Sequence, residues 1–131
     1  MKLADLTPIT AKFYLEHPVT KERIKDDNKK EVYWNVVGRD SDEYVASQQE
    51  FLKFLEKLGP KADKLTAIDY KKHASKQLVA MVKGWDPKFD DFHGGAYTVE
   101  KVEALLDSPT HNWIIDGLDD FVAKRANFFV K

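Results

Sequence analysis

The hydrophobic period of this chain changes near residue 40, and that change limits the folds open to it. Before it, Phe13-Tyr14-Leu15-Glu16 and Val32-Tyr33-Trp34-Asn35-Val36-Val37 are short alternating runs rich in aromatic and β-branched residues. Such runs form half-buried strands. Pro18 stops the first and Gly38 closes the second. The stretch between them, Thr20 to Glu31, is strongly polar, with Asp27-Asn28 as a turn signal. An antiparallel hairpin or meander follows. Two short strands are not stable alone, so helices must cover one face.

From residue 40 the apolar positions fall at helical spacing. Asp40-Ser41-Asp42-Glu43 has the pattern of a capping box with Asp40 as the cap. Tyr44, Phe51, Leu52, Leu55 and Leu58 then fall near one face, and Gly59-Pro60 ends the run. A second helix begins at Thr66, carries Ile68, Ala74, Leu78, Met81 and Val82, and stops at Gly84. Residues 84–97 hold four aromatics and read as an ordered irregular loop anchored by Trp85. Thr98 caps a short helix, and Ser108-Pro109 reads as the cap and first residue of the next. That last helix carries Ile114, Ile115, Leu118, Phe121 and Val122. The expectation is one α+β domain over residues 1–131, mostly helical, with a short N-terminal hairpin or meander packed on about four helices. Its parts are an arm (1–12), a β-rich part (13–38), a helical part (40–126) holding the irregular loop, and an apolar tail (127–131).

Charge and composition narrow the function. The 21 basic and 22 acidic side chains leave a net charge of -1, unlike the basic excess of nucleic-acid binders. Lys71, Lys72 and Lys76 sit among acidic neighbours and read as a solvated face. There is no cysteine, hence no disulfide or thiol chemistry. The longest apolar run, Leu78 to Val82, is far too short for a bilayer, so the expectation is a soluble intracellular protein without membrane contact. Charge is uneven, however. Residues 61–83 carry six basic against two acidic groups, and residues 84–120 carry two against nine. Such segments pair within a molecule or between copies, or stand as solvated faces.

No pattern for catalysis is present. The four histidines form no zinc-binding pair, and no serine lies in a Gly-x-Ser-x-Gly elbow. Asp86, Asp90, Asp91 and His93 resemble an oxygen-rich cation loop only superficially, since the spacing and the closing Glu of calcium loops are missing. Asp86 is read as capping the turn at Pro87. No catalytic, cofactor-binding or metal residue is expected. What remains is apolar surface: Phe89 and Phe92 in the loop, and Phe128, Phe129 and Val130 in the tail, are the candidates for partner contact. The alternative is that these residues close over the helices and complete the core.

Several segments, taken in order, resemble a known family. They are His17-Pro18-Val19-Thr20, Val37-Gly38-Arg39-Asp40-Ser41-x-x-Tyr44, Val82-Lys83-Gly84-Trp85-Asp86, Gly94-Gly95, Tyr97-Thr98-x-Glu100, Leu105-Leu106-x-x-Pro109, and Phe121 with Asn127-Phe128. Their order and spacing over residues 13 to 129 are similar to the tail assembly chaperones of long-tailed (siphophage-type) bacteriophages. The resemblance implies a protein that binds the long helical tape measure protein, keeps it soluble, and helps tail tube protein polymerise around it. It implies action in the cytoplasm of the infected bacterial host, absence from the mature virion, self-association, and in many members a second form extended by a ribosomal frameshift. It carries no catalytic residues. The motif positions take structural roles: Asp40 as helix cap, Gly84 as helix stop, Trp85 as anchor and Pro109 as helix start. A permanent structural or adaptor component of a tail or similar assembly is the alternative.

Overall fold

A computed structural model describes residues 2–129. The architecture is α+β and mostly helical. Among the described residues, three antiparallel strands, β1 (Ala11–Tyr14), β2 (Tyr33–Val36) and β3 (Val82–Gly84), lie in the order β1-β2-β3. Five helices accompany them: α1 (Asp42–Leu58), α2 (Ala67–Met81), α3 (Asp90–His93), α4 (Val99–Asp107) and α5 (Trp113–Ala123).

The expected pairing of the first two runs forms with Phe13 opposite Trp34, which sends both side chains into the core. The polar stretch between them is more than a loop. Glu16 pairs with Arg23 and Lys25 with Glu31, so it folds into two small antiparallel excursions. Asp26 turns the second by accepting from the backbone N–H groups of Asn28 and Lys30. The third strand was not expected. Val82 leaves α2 and pairs directly with Val36, while Val37 N–H donates to the Met81 carbonyl. Gly84 therefore does not stop a helix; it ends β3 at φ 140°, where a side chain would be strained and its Cβ would lie 3.2 Å from the Tyr97 ring.

Two other boundaries move for local reasons. Ser41, not Asp40, caps α1: its hydroxyl accepts from Tyr44 N–H, and Asp40 is engaged by Arg125 at 2.7 and 3.0 Å. Pro109 does not start a helix. Residues 109–112 form turns, and α5 begins at Trp113. Other helix ends fall where expected. Gly59 closes α1 with φ 52°, and Thr98 caps α4 by accepting from Lys101 N–H. The loop after β3 is partly regular, with a 3-10 turn at Pro87–Phe89 running into α3. Trp85 is buried there, as an anchor should be.

Thr66 and Asp69 form a full capping box on α2. Thr66→Ala removes an acceptor for Asp69 N–H and is expected to cost about 1 kcal/mol, read in chemical denaturation.

The core is one cluster in which Trp34, Phe89, Phe128, Leu106, Leu118 and Val102 are almost wholly buried. Helix α1 lies at its edge and touches it through half-buried Tyr44. None of its residues is buried, and it packs on α2 through Phe51 and Phe54, whose rings lie 4.8 and 4.4 Å from His73. Leu52, expected on the apolar face, is exposed instead. No helix among the described residues is long and apolar enough to cross a membrane.

Candidate functional site

The three tryptophans stand far apart in the chain, at 34, 85 and 113, and folding brings all of them to one cleft. The cleft has a volume of about 630 Å³. Trp34 from β2 and Trp85 after β3 form its floor with Leu15 and Ile114, all four buried. Phe92, Leu105 and Trp113 form the walls. The rim is Lys101, Ala104, Ser108 and His111.

Each indole N–H has a partner. Trp34 Nε1 donates to His93 Nε2 at 3.3 Å, Trp85 Nε1 to Asp90 Oδ1 at 3.1 Å, and Trp113 Nε1 to the Thr110 carbonyl at 3.0 Å. A buried indole without an acceptor would forfeit much of what its ring gains by burial. These bonds also fix the ring orientations. The Tyr97 ring meets Trp85 edge-on at 5.4 Å, and its hydroxyl donates to the Val82 carbonyl, which ties the cleft floor to β3.

His93 sits at the centre of this arrangement. Its ring stacks on Trp85 at 3.8 Å and meets Phe92 edge-on at 5.0 Å. Because Nε2 accepts from Trp34, the imidazole proton resides on Nδ1. Burial pushes the His93 pKa down to about 4, with Asp90 opposing and Lys101 reinforcing the shift. Folded His93 is thus neutral where the unfolded residue titrates near 6.5. Between those values the unfolded chain binds the additional proton, so this contribution to stability is complete above pH 6.5 and is lost as pH falls toward 4. The loss is expected to reach at most about 2 kcal/mol, since water reaches the outer edge of the ring. Denaturant unfolding between pH 7 and about pH 4.5 measures it, with His93→Gln as the control that flattens the dependence. The carboxylates held low by partners, Asp40 by Arg125 and Glu43 by Lys83, weaken at lower pH, as each titrates.

Of the five residues expected to meet a partner, one lies in the cleft. Phe92 is 41% exposed on its wall. Phe89 is fully buried beneath Tyr33, whose ring it meets edge-on at 5.1 Å, so it belongs to the core. Phe128 is 2% exposed, packed against Phe121 and on Gly38, where a Cβ would come within 2.6 Å of its ring. Phe129 is half-buried against the same cluster, and Val130 lies outside the described residues. Phe128 completes the core between Phe121 of α5 and Gly38 after β2, and Phe129 packs against its edge. Asp86 caps its turn, accepting from Lys88 N–H at 3.0 Å. Among the described residues no three His, Asp or Glu side chains gather where a metal ion would be held.

Trp34, Trp113, Leu105 and Lys101 are not among the contact candidates the sequence suggests. The available signal was the tryptophans themselves, since each needs both an apolar bed and an acceptor. Their separation in sequence hides that the beds coincide.

No protein-family model, curated protein or solved structure matches this chain.

Proposed function

We propose that this chain is a tail assembly chaperone of the long-tailed bacteriophage type, which docks the helical tape measure protein and keeps it soluble while tail tube protein assembles around it. The aromatic cleft carries this reading. It is open and mostly apolar, and one side of it is a face of α4, with Lys101, Ala104 and Leu105 at helical spacing and Ser108 just past the helix end. A helix-in-groove contact needs such a face. Ala104 leaves room for a second helix to approach closely. The order of family-like segments along the chain supports the same reading. The place of action is then the cytoplasm of the infected host, and the protein leaves before the virion is finished.

The test is co-expression with the large helical protein encoded just downstream. With this chain present, that client is expected to stay soluble and co-purify. Equal aggregation with and without it contradicts the proposal. A second reading, a permanent adaptor or structural subunit, is favoured by α1, which exposes Val45 and Leu52 and buries no residue of its own. Mass spectrometry of purified virions separates the two: a chaperone is absent and a structural subunit is present.

A further inference from the structure

Residues 84–120 carry nine acidic against two basic groups, yet none of those carboxylates lines the cleft that this segment largely builds. The polar side chains that do line it are Lys101, His93, His111 and Ser108. Glu103 and Asp107 of α4 lie instead on the groove toward α2. Asp90, the carboxylate that acts on His93, is committed to the Trp85 indole. Lys101 is held in place without being neutralised: its Nζ donates to the Ala96 carbonyl at 2.8 Å, and among the described residues it has no carboxylate partner. The cleft thus presents an apolar bed with one fixed ammonium at one end of the α4 face. Ser108 and His111 stand at the other, Ser108 roughly two helical turns away.

From this arrangement we infer that the cleft selects an acidic amphipathic helix: a stripe of large apolar side chains flanked by Glu or Asp, with one carboxylate against Lys101. The inference rests on the reading of the cleft as the client-docking site and specifies the chemistry of the client segment. The negative charge of residues 84–120 does not reverse the preference at contact distance. At physiological ionic strength, charges beyond about 8 Å are largely screened, and Asp90, the nearer carboxylate that acts on His93, is held by the Trp85 indole. Lys101 gives register and discrimination, while the aromatic bed gives most of the affinity.

Because all three tryptophans line the cleft, intrinsic fluorescence reports its occupancy directly. The full chain is titrated with three tryptophan-free peptides of about 18 residues, long enough to hold a helix when docked. They share one Leu/Phe stripe and carry Glu, Gln or Lys at the flanking positions. The Glu peptide is expected to bind about fivefold more tightly than the Lys peptide, with Gln between. The ratio shrinks as salt rises from about 50 to about 500 mM. Lys101→Met, which keeps the stem, is expected to level the series, and Lys101→Glu to invert it. Equal affinity for all three peptides on the unaltered chain overturns the acidic preference and leaves apolar docking standing. Tighter binding of the Lys peptide overturns it also. If no peptide changes the emission, the cleft is not the docking site, and the reading beneath the inference falls with it.

Discussion

Phe128→Ala is expected to lower the midpoint of thermal unfolding by about 10–20 °C, the largest effect of any single tail substitution. The side chain is almost fully buried, meets Phe121 edge-on at 5.6 Å, and occupies the space that Gly38 leaves by lacking a Cβ. Truncating a buried Phe removes its transfer free energy and leaves a void, about 3–5 kcal/mol together. Domains of this size unfold with an entropy that converts such a loss into the stated shift. Its backbone contributes too, since the Phe128 carbonyl accepts from Ile9 N–H at 2.7 Å and so pins the N-terminal arm. Gly38→Val attacks the same contact from the other side and is expected to destabilise comparably, with the two changes far from additive because they share one space. Circular dichroism melts of the single and double variants check this. An unchanged midpoint in Phe128→Ala, accompanied by lost client binding, would return Phe128 to the role of a partner contact.

Phe92→Asp is expected to have the opposite profile. Phe92 is exposed on the cleft wall and contributes mainly its edge contact with His93, so the melting midpoint should move by no more than a few degrees. Client affinity should fall by about 30-fold or more, the scale of a buried aromatic anchor lost from the centre of an interface. A carboxylate on the wall also opposes the acidic segment inferred above. Phe92→Leu separates the two effects, because it keeps the apolar wall and should retain most of the affinity. Calorimetric titration of the client segment into each variant measures the difference. The pair of substitutions therefore divides the aromatic residues of the irregular segments into core and contact, which inspection of the sequence left joined.

Local signals in the chain were read with success where a short-range physical rule governs. Thr66, Thr98 and Gly59 act at helix ends, and Asp27-Asn28 turn as expected with Asp26 holding the turn, because capping and turn chemistry depend on neighbours within a few residues. The errors lie where a distant partner decides. Asp40 looks like a cap until Arg125, 85 residues away, engages its carboxylate and leaves Ser41 to do the capping. Gly84 looks like a helix stop because β3 is three residues long, and only its pairing with β2 makes it a strand. Pro109 satisfies the rule for a helix start, yet the chain turns through residues 109–112 before α5 begins.

The cleft was legible only in part, for the same reason. Phe92 was found because an aromatic in an irregular segment attracts notice. Trp34 reads as an ordinary strand residue and Trp113 as an ordinary helix residue, since nothing local says that their rings converge. His93 shows the point most clearly. In sequence it belongs to an acidic loop, and that invites a metal. In the fold it is a neutral acceptor for Trp34, stacked on Trp85, and Asp90 beside it is spent on an indole. A histidine that must stay unprotonated to satisfy a buried donor is a structural component of the cleft floor, and its depressed pKa follows from that position.

Hydrogen exchange of this chain with and without the purified downstream helical protein tests the central claim most directly. If the cleft docks the client, exchange should slow at residues 92–93 and 101–113 and stay unchanged in the excursion at 27–30 and on the outer face of α1. Protection confined to α1, with the cleft segments unaffected, would contradict the account and make the exposed helix the contact surface instead.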